Sequence, residues 1–288
     1  MRLLLFPVVL ASLRLFGQAP LPYDLDRPDQ VLQLPDELLE VSALTDVDEH
    51  TVGCVQDEAA TFYRIDLRTG TITARLPFGP PGDLEGLTRV GADYYALRSD
   101  GLIYHLRPTA YRMTVVDSFR VDVPEPDLEG LGYDEQRKQV LISPKGIAKG
   151  EPEKRDQRTI HAYDVASKRL LSTPALTFSV TDVLRQARTA GFAVPERTTP
   201  KGRVVPALKL RFSSVAVDPL TDHFYLLSAV DRTLLVMDRK ANVVALHHLP
   251  AALYPKPEGI TFLRGGALLI SNEGKQVRPN LLRFERKR

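Results

Sequence analysis

The pentapeptide DLEGL occurs twice in this chain of 288 residues, at positions 83–87 and 127–131. Related short segments recur along the sequence, and each can be aligned on one marker position. The marker positions are separated by 43, 44, 85 and 44 residues, and they are Ser42, Glu85, Glu129, Ser214 and Glu258. Recurrence at one period, with one interval close to double, indicates a repeated structural unit.

Each unit contains three or four short runs rich in Val, Ile, Leu, Tyr and Phe, such as TVGCV, TFYRIDL and TITARLPF in the first unit. Polar turns separate these runs, which is the pattern of short antiparallel strands. Four such strands in a repeat of about 44 residues are typical of one blade of a β-propeller. The sequence therefore predicts an all-β fold, a β-propeller.

The spacing predicts five blades, with six as the alternative. The 85-residue interval holds one blade and then a segment without a four-strand pattern, a helical and loop insertion around residues 180–208. Apolar spacings of three and four predict a helix from Thr181 to Gly191, followed by a Pro-rich surface loop from Val194 to Pro206. The last unit lacks a fourth strand, so we expect Gln30 to Pro35 to pair beside Leu281 to Glu285 and close the ring.

The amino-terminal residues 1–19 have the pattern of a signal peptide, in which Met1-Arg2 precedes the apolar run LLLFPVVLASL. An uncleaved membrane anchor is the alternative. We therefore expect a single propeller domain over residues 20–288, exported to the periplasm or outside the cell as a monomer. The net charge of +2 gives no electrostatic reason to expect nucleic acid as a partner. The single cysteine, Cys54, is expected to be buried and unreactive.

The marker segments ELLEVSALT, DLEGLTRVGADYYAL, DLEGLGYD and KPEGITF follow one another, and SSVAVDPLTDHFYLLSAVDRTLLVMDRKANVV precedes the last of them. This series resembles the SdiA-regulated domain family of exported bacterial propellers, over about residues 36–288 and least across 180–208. The resemblance implies a propeller fold and no particular reaction. The chain departs from the family pattern at Ser214, where three other markers carry Glu, and in lacking a clear lipoprotein or anchor signal.

Propeller topology places the loops that enter each first strand on the same face as the loops between second and third strands. We therefore predict that Glu85, Glu129 and Glu258 meet at one mouth of the central channel and are the candidate metal ligands. Further polar residues are predicted beside them as a ligand-binding set: Asp57, Glu58, Asp83, Arg98, Asp127, Lys145 and Glu273. The small residue after each marker is expected to let the first strands approach closely.

Several carboxylates in a partly dehydrated mouth repel one another, so their charge requires compensation. Arg98 and Lys145 could pair with them in a structural ring. Alternatively a hard cation such as Ca²⁺ could bind, because Ca²⁺ prefers several carboxylate oxygens. Proton transfer by a carboxylate pair is the third interpretation.

Two classes of function follow, since the sequence contains no nucleophile elbow, phosphate loop or dinucleotide fingerprint. The first is a non-catalytic module that binds a small molecule or a protein at the carboxylate-rich mouth, with Ca²⁺ as the candidate cofactor. The second is a metal-dependent hydrolase of the lactonase or phytase-like esterase type. Such lactonases generally use Asn beside Glu and Asp, and here only Asn272 is expected near this face. We favour binding.

Overall fold

The first strands of five antiparallel sheets surround a central channel in the computed structural model, which describes residues 21–274 and 277–287. The chain enters the ring through β1 (Gln30–Gln33) and a short 3-10 turn (Asp36–Leu38). Blade 1 consists of β2 (Val41–Asp48), β3 (Thr51–Gln56), β4 (Thr61–Asp66) and β5 (Ile72–Pro77). Blade 2 consists of β6 (Leu84–Val90), β7 (Asp93–Arg98), β8 (Leu102–Pro108) and β9 (Met113–Arg120).

The remaining three blades follow the same order, with the first strand at the channel. Blade 3 consists of β10 (Leu128–Asp134), β11 (Gln139–Pro144), a short helix α1 (Pro152–Asp156), β12 (Gln157–Asp164), β13 (Arg169–Leu170) and β14 (Leu176–Ser179). The insertion contains α2 (Val180–Thr189), β15 (Glu196–Thr198) and β16 (Val204–Pro206). Blade 4 consists of β17 (Ser214–Val217), β18 (Phe224–Ser228), β19 (Thr233–Met237) and β20 (Val243–His248). Blade 5 consists of β21 (Pro257–Phe262), β22 (Leu268–Asn272) and β23 (Asn280–Phe284).

The amino-terminal strand completes the last blade. β1 pairs antiparallel with β23, from Gln30 opposite Arg283 to Gln33 opposite Asn280. This pairing gives blade 5 its fourth strand and leaves no gap in the ring, so the predictions of five blades and of closure by the amino-terminal strand are confirmed. The predicted signal segment, residues 1–19, lies outside the described residues. Within those residues, no helix has the length and apolar character needed to cross a membrane.

The insertion between blades 3 and 4 is partly as predicted. Helix α2 begins at Val180 and ends at Thr189, and the Ser179 side chain caps it by accepting a hydrogen bond from the Asp182 N–H. The stretch 194–206 is exposed but is not a simple loop, because β15 and β16 form a hairpin there. The Pro residues had suggested an irregular segment, and the turn through Gly202, with φ of +76°, allows the two short strands to pair.

Hydrophobic side chains form one cluster between each pair of neighbouring blades in the part of the chain that the structure describes. Adjacent residues of a strand point to opposite faces of the blade. Tyr94 therefore packs between blades 1 and 2, whereas Tyr95 packs between blades 2 and 3. Cys54 is fully buried, and burial raises the pKa of its thiol, which keeps it in the unreactive protonated form.

Glycine after the marker residue allows three pairs of first strands to touch. A Cβ added at Gly86 would lie 2.7 Å from the Leu131 Cβ and 2.9 Å from the Glu129 carbonyl oxygen of the next blade. A Cβ at Gly259 would lie 3.0 Å from the Leu44 nitrogen of blade 1. These approaches are too close for any side chain, so the Gly of the DLEGL and PEGI segments is required by packing between blades.

Serine hydroxyls connect the first strands where the marker residue is not Glu. Ser42 donates a hydrogen bond to the Leu84 carbonyl of blade 2 at 2.6 Å, and Ser213 donates to the Pro257 carbonyl of blade 5 at 3.2 Å. Both hydroxyls also face the carbonyl of their own second strand, Val55 and Leu227 respectively. Ser213 is thus the structural equivalent of Ser42. The alignment of Ser214 with the marker position was wrong by one residue, because two adjacent serines left the register open.

We predict that Gly86→Ala lowers the free energy of unfolding by about 1–3 kcal/mol, the usual cost of overpacking a dense contact. The added methyl group would collide with the backbone of blade 3. Urea denaturation of the two proteins measures the difference. Gly79→Ala is the control, since a Cβ there would meet only the Ala60 Cβ at 3.6 Å. Equal losses from both substitutions would contradict the proposed packing role.

Candidate functional site

A β-bulge at the start of each of four first strands presents the marker residue at one end of the channel. The register between first and second strands shifts at Ser42, Glu85, Glu129 and Glu258, each of which stands as the extra residue. Bulges re-aim a side chain out of the regular alternation of a strand. The three glutamates, together with Lys145 and Lys256, form what we term the mouth cluster.

Glu129 and Lys145 form a buried ion pair. The Lys145 Nζ lies 2.5 Å from the Glu129 Oε1, and the Glu129 side chain is only 4% exposed. The loop after β11 holds the lysine in place, because its backbone N–H donates to the Asp127 carbonyl at 2.8 Å. The other carboxylate oxygen, Oε2 of Glu129, is buried and has no hydrogen-bond partner among the described residues.

Lys256 bridges two carboxylates in blade 5. Its Nζ lies 3.1 Å from the Glu258 Oε1 and also contacts the Glu273 carboxylate at the end of β22. Sequence reasoning missed Lys256, although it stands within the marker segment KPEGI, at the position where DLEGL carries Asp. Comparison of that position between markers would have revealed the reversal of charge.

The charges of the three glutamates act on one another. Burial, followed by the charges of Glu129, Asp83 and Glu258, raises the pKa of Glu85 from 4.5 to about 9. Burial also raises the pKa of Glu129 to about 7, although Lys145 opposes the shift. The structure thus places Glu85, Glu129 and Glu258 within electrostatic range of each other at one mouth.

The mouth cluster is incompletely neutralised by the protein. Glu129 and Glu258 each have a lysine partner, whereas Glu85 has no ion-pair partner within residues 21–274 and 277–287. A carboxyl group in such surroundings remains protonated at neutral pH unless a further cation approaches it. Glu85 is therefore the side chain of the mouth cluster that is open to a ligand.

The other residues of the predicted ligand-binding set are divided between two places. Asp57, Glu58 and Asp83 gather beside Glu40 on the side of blades 1 and 2, where burial and the charge of Glu40 raise the pKa of Asp57 to about 6. Asp83 accepts a hydrogen bond from the Ser99 hydroxyl. These acids extend the negative surface outward from Glu85.

Asp127 and Arg98 have roles that differ from those predicted. Asp127 adopts a left-handed φ of 62°, and its carbonyl oxygen positions the Lys145 loop. Arg98 was expected to reach the glutamates, but its guanidinium donates to the Asp100 carboxylate at 2.9 Å. Asp100 lies two residues further along, in the β7–β8 turn, so Arg98 forms its ion pair locally instead of with the glutamates.

The arrangement of carboxylates and lysines in the mouth cluster does not form a ready-made site for the predicted metal ion. No group of three or more His, Cys, Asp or Glu side chains within the described residues is arranged to hold a metal ion. In the mouth cluster the Lys145 and Lys256 ammonium groups occupy positions beside the carboxylates. Binding of Ca²⁺, which takes about six to eight oxygen ligands, would therefore require these side chains to rearrange.

Comparison with known proteins supports the fold. No family model matches the chain, and no curated protein is significantly similar in sequence. Its fold is similar to the crystal structure of Myxococcus xanthus glutaminyl cyclase, with a TM-score of 0.58 and 14% identity over 90% of this chain and 95% of that one. A chain of the mitotic checkpoint complex (TM-score 0.44, 11% identity) and the Neurospora crassa Pan2 WD40 domain (0.43, 10%) also match.

The two lower-scoring matches cover 86% of this chain but only 64% of those longer chains. The similarity to the cyclase concerns the fold, because the identity is low. Together with the strand order, it defines the chain as a five-bladed β-propeller. The resemblance to the SdiA-regulated domain family stays a prediction.

We predict that the free energy of unfolding falls as the pH rises from 6 to 9, by up to about 1.4 kcal/mol per pH unit for each titrating group. The pKa values of Glu85 and Glu129 are raised on folding, to about 9 and about 7, so the folded state holds protons that the unfolded chain releases. This stabilisation is complete below pH 4.5 and is lost as the pH rises through the two folded values.

Chemical denaturation at a series of pH values tests this prediction. The double substitution Glu85→Gln with Glu129→Gln should flatten the profile between pH 6 and 9, even if it lowers stability at every pH by leaving Lys145 without a partner. An unchanged slope in the double variant would show that other groups determine the pH dependence.

Proposed function

We propose that this protein is a non-catalytic binding module whose mouth cluster binds a ligand through an ammonium group. The observation that carries the proposal is the difference between blades. Ser42 and Ser213 occupy the marker position in blades 1 and 4, and their hydroxyls complete the contact with the next blade. The fold therefore does not require an acid there, yet three blades carry a Glu at this position, with Glu129 and Glu258 buried and Glu85 half-buried, and their charges repel one another.

The unneutralised part of the cluster indicates the type of ligand. Glu85 lacks an ion-pair partner among the described residues, and the Glu129 Oε2 atom lacks a hydrogen-bond partner there. An ammonium group between them would donate hydrogen bonds to both carboxylates and allow Glu85 to ionise. An ammonium group needs fewer oxygens than Ca²⁺ does, so it would require less rearrangement of Lys145 and Lys256. Ca²⁺ remains the alternative occupant.

Calorimetric titration with glycinamide at pH 7.5 tests the proposal, with N-acetylglycinamide and CaCl₂ as parallel titrants. We expect glycinamide to bind, the acetylated compound not to bind, and up to about one proton to be released for each amine bound, because Glu85 must lose its proton. The released proton is measured by repeating the titration in buffers of different ionisation enthalpy.

Glu85→Ser is the decisive variant, since serine already stands at the equivalent position of blades 1 and 4. It should retain the fold and weaken glycinamide binding at least about tenfold, whereas Glu196→Ser on the exposed β15 hairpin should have no effect. Binding of Ca²⁺ but not of glycinamide would contradict the proposed ammonium ligand and favour a metal ion. Absence of binding by both would leave the cluster a structural ring.

A second candidate function is proton-transfer catalysis. Glu85, with a pKa of about 9, and Glu129, with a pKa of about 7, are a carboxyl pair whose members differ in protonation at neutral pH. Because a glutaminyl cyclase has a similar fold, a glutaminyl peptide is the first substrate to assay. Turnover that Glu85→Gln abolishes would establish an enzyme, and Ca²⁺-dependent lactone hydrolysis would establish the hydrolase considered from sequence.

We further propose that the module acts outside the cytoplasm, because residues 1–19 have the pattern of a signal peptide. We propose that it is a monomer and that its mouth binds a small molecule or a protein. Nucleic acid is not expected as a partner, since the net charge is only +2. Fractionation of the native chain and sequencing of its mature amino terminus test the export and the cleavage of the segment.

A further inference from the structure

The channel contains a cavity of about 360 Å³ that opens on the face opposite the mouth cluster. Its walls are the later parts of the five first strands and the turns that follow them, including Gly91, Glu135, Pro219 and Arg264. Residues of the mouth cluster do not line it. The volume falls within the range of about 300–1,000 Å³ that is typical of small-molecule sites.

Hydroxyl groups line this cavity at one equivalent position of three blades. Thr45, Thr88 and Thr261 stand three residues after the marker and are 3%, 6% and 8% exposed. Thr45 accepts a hydrogen bond from the Arg89 backbone N–H at 2.9 Å. Neither the Thr88 nor the Thr261 hydroxyl has a hydrogen-bond partner among the described residues. Neither oxygen is one of the fully buried atoms that lack a partner, so both face the open space of the cavity and are available to a molecule there.

The four aspartates that line the cavity are paired with arginines. The nitrogen-to-oxygen distances of these ion pairs are 3.0 Å for Asp46 and Arg89, 2.7 Å for Asp134 and Arg239, 2.9 Å for Asp218 and Arg286, and 3.3 Å for Asp222 and Arg137. The Asp134 and Asp218 side chains are fully buried, whereas the part-exposed Asp46–Arg89 pair keeps donor and acceptor positions free without a large net charge. Arg264 is exposed at the rim, where it is solvated, although it would favour an anion.

Two aromatic side chains complete the wall. Phe262 is 8% exposed and lines the cavity from β21, while Tyr133 lines it from the end of β10 with a hydroxyl that has no partner within the described residues. An aromatic surface beside alternating donors and acceptors suits the apolar and polar faces of a sugar ring or cyclic polyol.

We infer that this channel cavity is a binding site for a neutral, polyhydroxylated small molecule of about monosaccharide size. Hydroxyl groups of the ligand would satisfy Thr88, Thr261 and Tyr133, and would share the donors and acceptors of the Asp46–Arg89 pair. An ionised ligand would bring a further charge beside four aspartates that already have arginine partners. The inference is independent of the ammonium site, because the two sites share no residue.

Ligand-observed NMR and thermal unfolding with glucose, galactose and myo-inositol test the inference, with glucuronate and glucosamine as the charged counterparts of glucose. At least one neutral compound should bind to the full chain and raise its melting temperature, and the charged counterparts should bind more weakly. No binding of any neutral polyol, or tighter binding of glucuronate or glucosamine, would overturn the inference.

The double substitution Thr88→Val with Thr261→Val removes the two free hydroxyls at nearly constant volume. It should weaken binding of the neutral ligand about tenfold without unfolding the protein, while Thr177→Val, at an exposed position of β14, should leave binding unchanged. Each single Thr→Val variant should show a smaller loss in the same direction, which keeps the test informative if the double variant folds poorly. Unchanged binding in all three channel variants would contradict the proposed site.

Discussion

Contact between the first strands of neighbouring blades is the constraint on which the rest of this propeller depends. Each first strand is the terminal strand of its sheet, so one edge of its backbone faces the channel without a strand partner. The chain meets this constraint in two ways. Where the marker residue is Ser, its hydroxyl reaches the carbonyl of the next blade. Where the marker is Glu, a following Gly lets the two backbones touch. The ring is therefore held by pairs of adjacent residues, Ser with a small residue or Glu with Gly.

The two ends of the channel carry different chemical groups. At the glutamate end, the contact between blades is made by Gly, so the bulged Glu side chain is not needed for that contact. Burial raises the pKa of Glu85 to about 9 and that of Glu129 to about 7. At the opposite end the aspartates are paired with arginines, and the hydroxyls of Thr88, Thr261 and Tyr133 have no hydrogen-bond partner among the described residues. One end suits a cation and the other a neutral polar molecule.

Closure of the ring uses the two termini instead of a covalent link, since the chain has one cysteine. β1 adds the outer strand of blade 5, and contacts before and after it tighten the junction. Arg286 near the carboxy terminus contacts both the Tyr23 hydroxyl and the buried Asp218 of blade 4, and the Tyr254 hydroxyl donates to the Leu25 carbonyl. These hydrogen bonds join blades 4 and 5 to the segment before β1 and to the segment after β23.

The sequence by itself predicted the propeller, the closing strand and the helix of the insertion, and it favoured five blades over six, because these features depend on strand period, turn residues and apolar spacing, which are local properties of the chain. It also identified the three glutamates that meet at one mouth. Only the tertiary structure decided that Ser213 instead of Ser214 takes the marker position, that Lys256 bridges Glu258 and Glu273, and that Arg98 turns to Asp100. The cavity at the opposite end was equally invisible in the sequence. The physical reason is that a side chain's partner depends on how strands some forty residues apart come together, and a one-residue change of register redirects it.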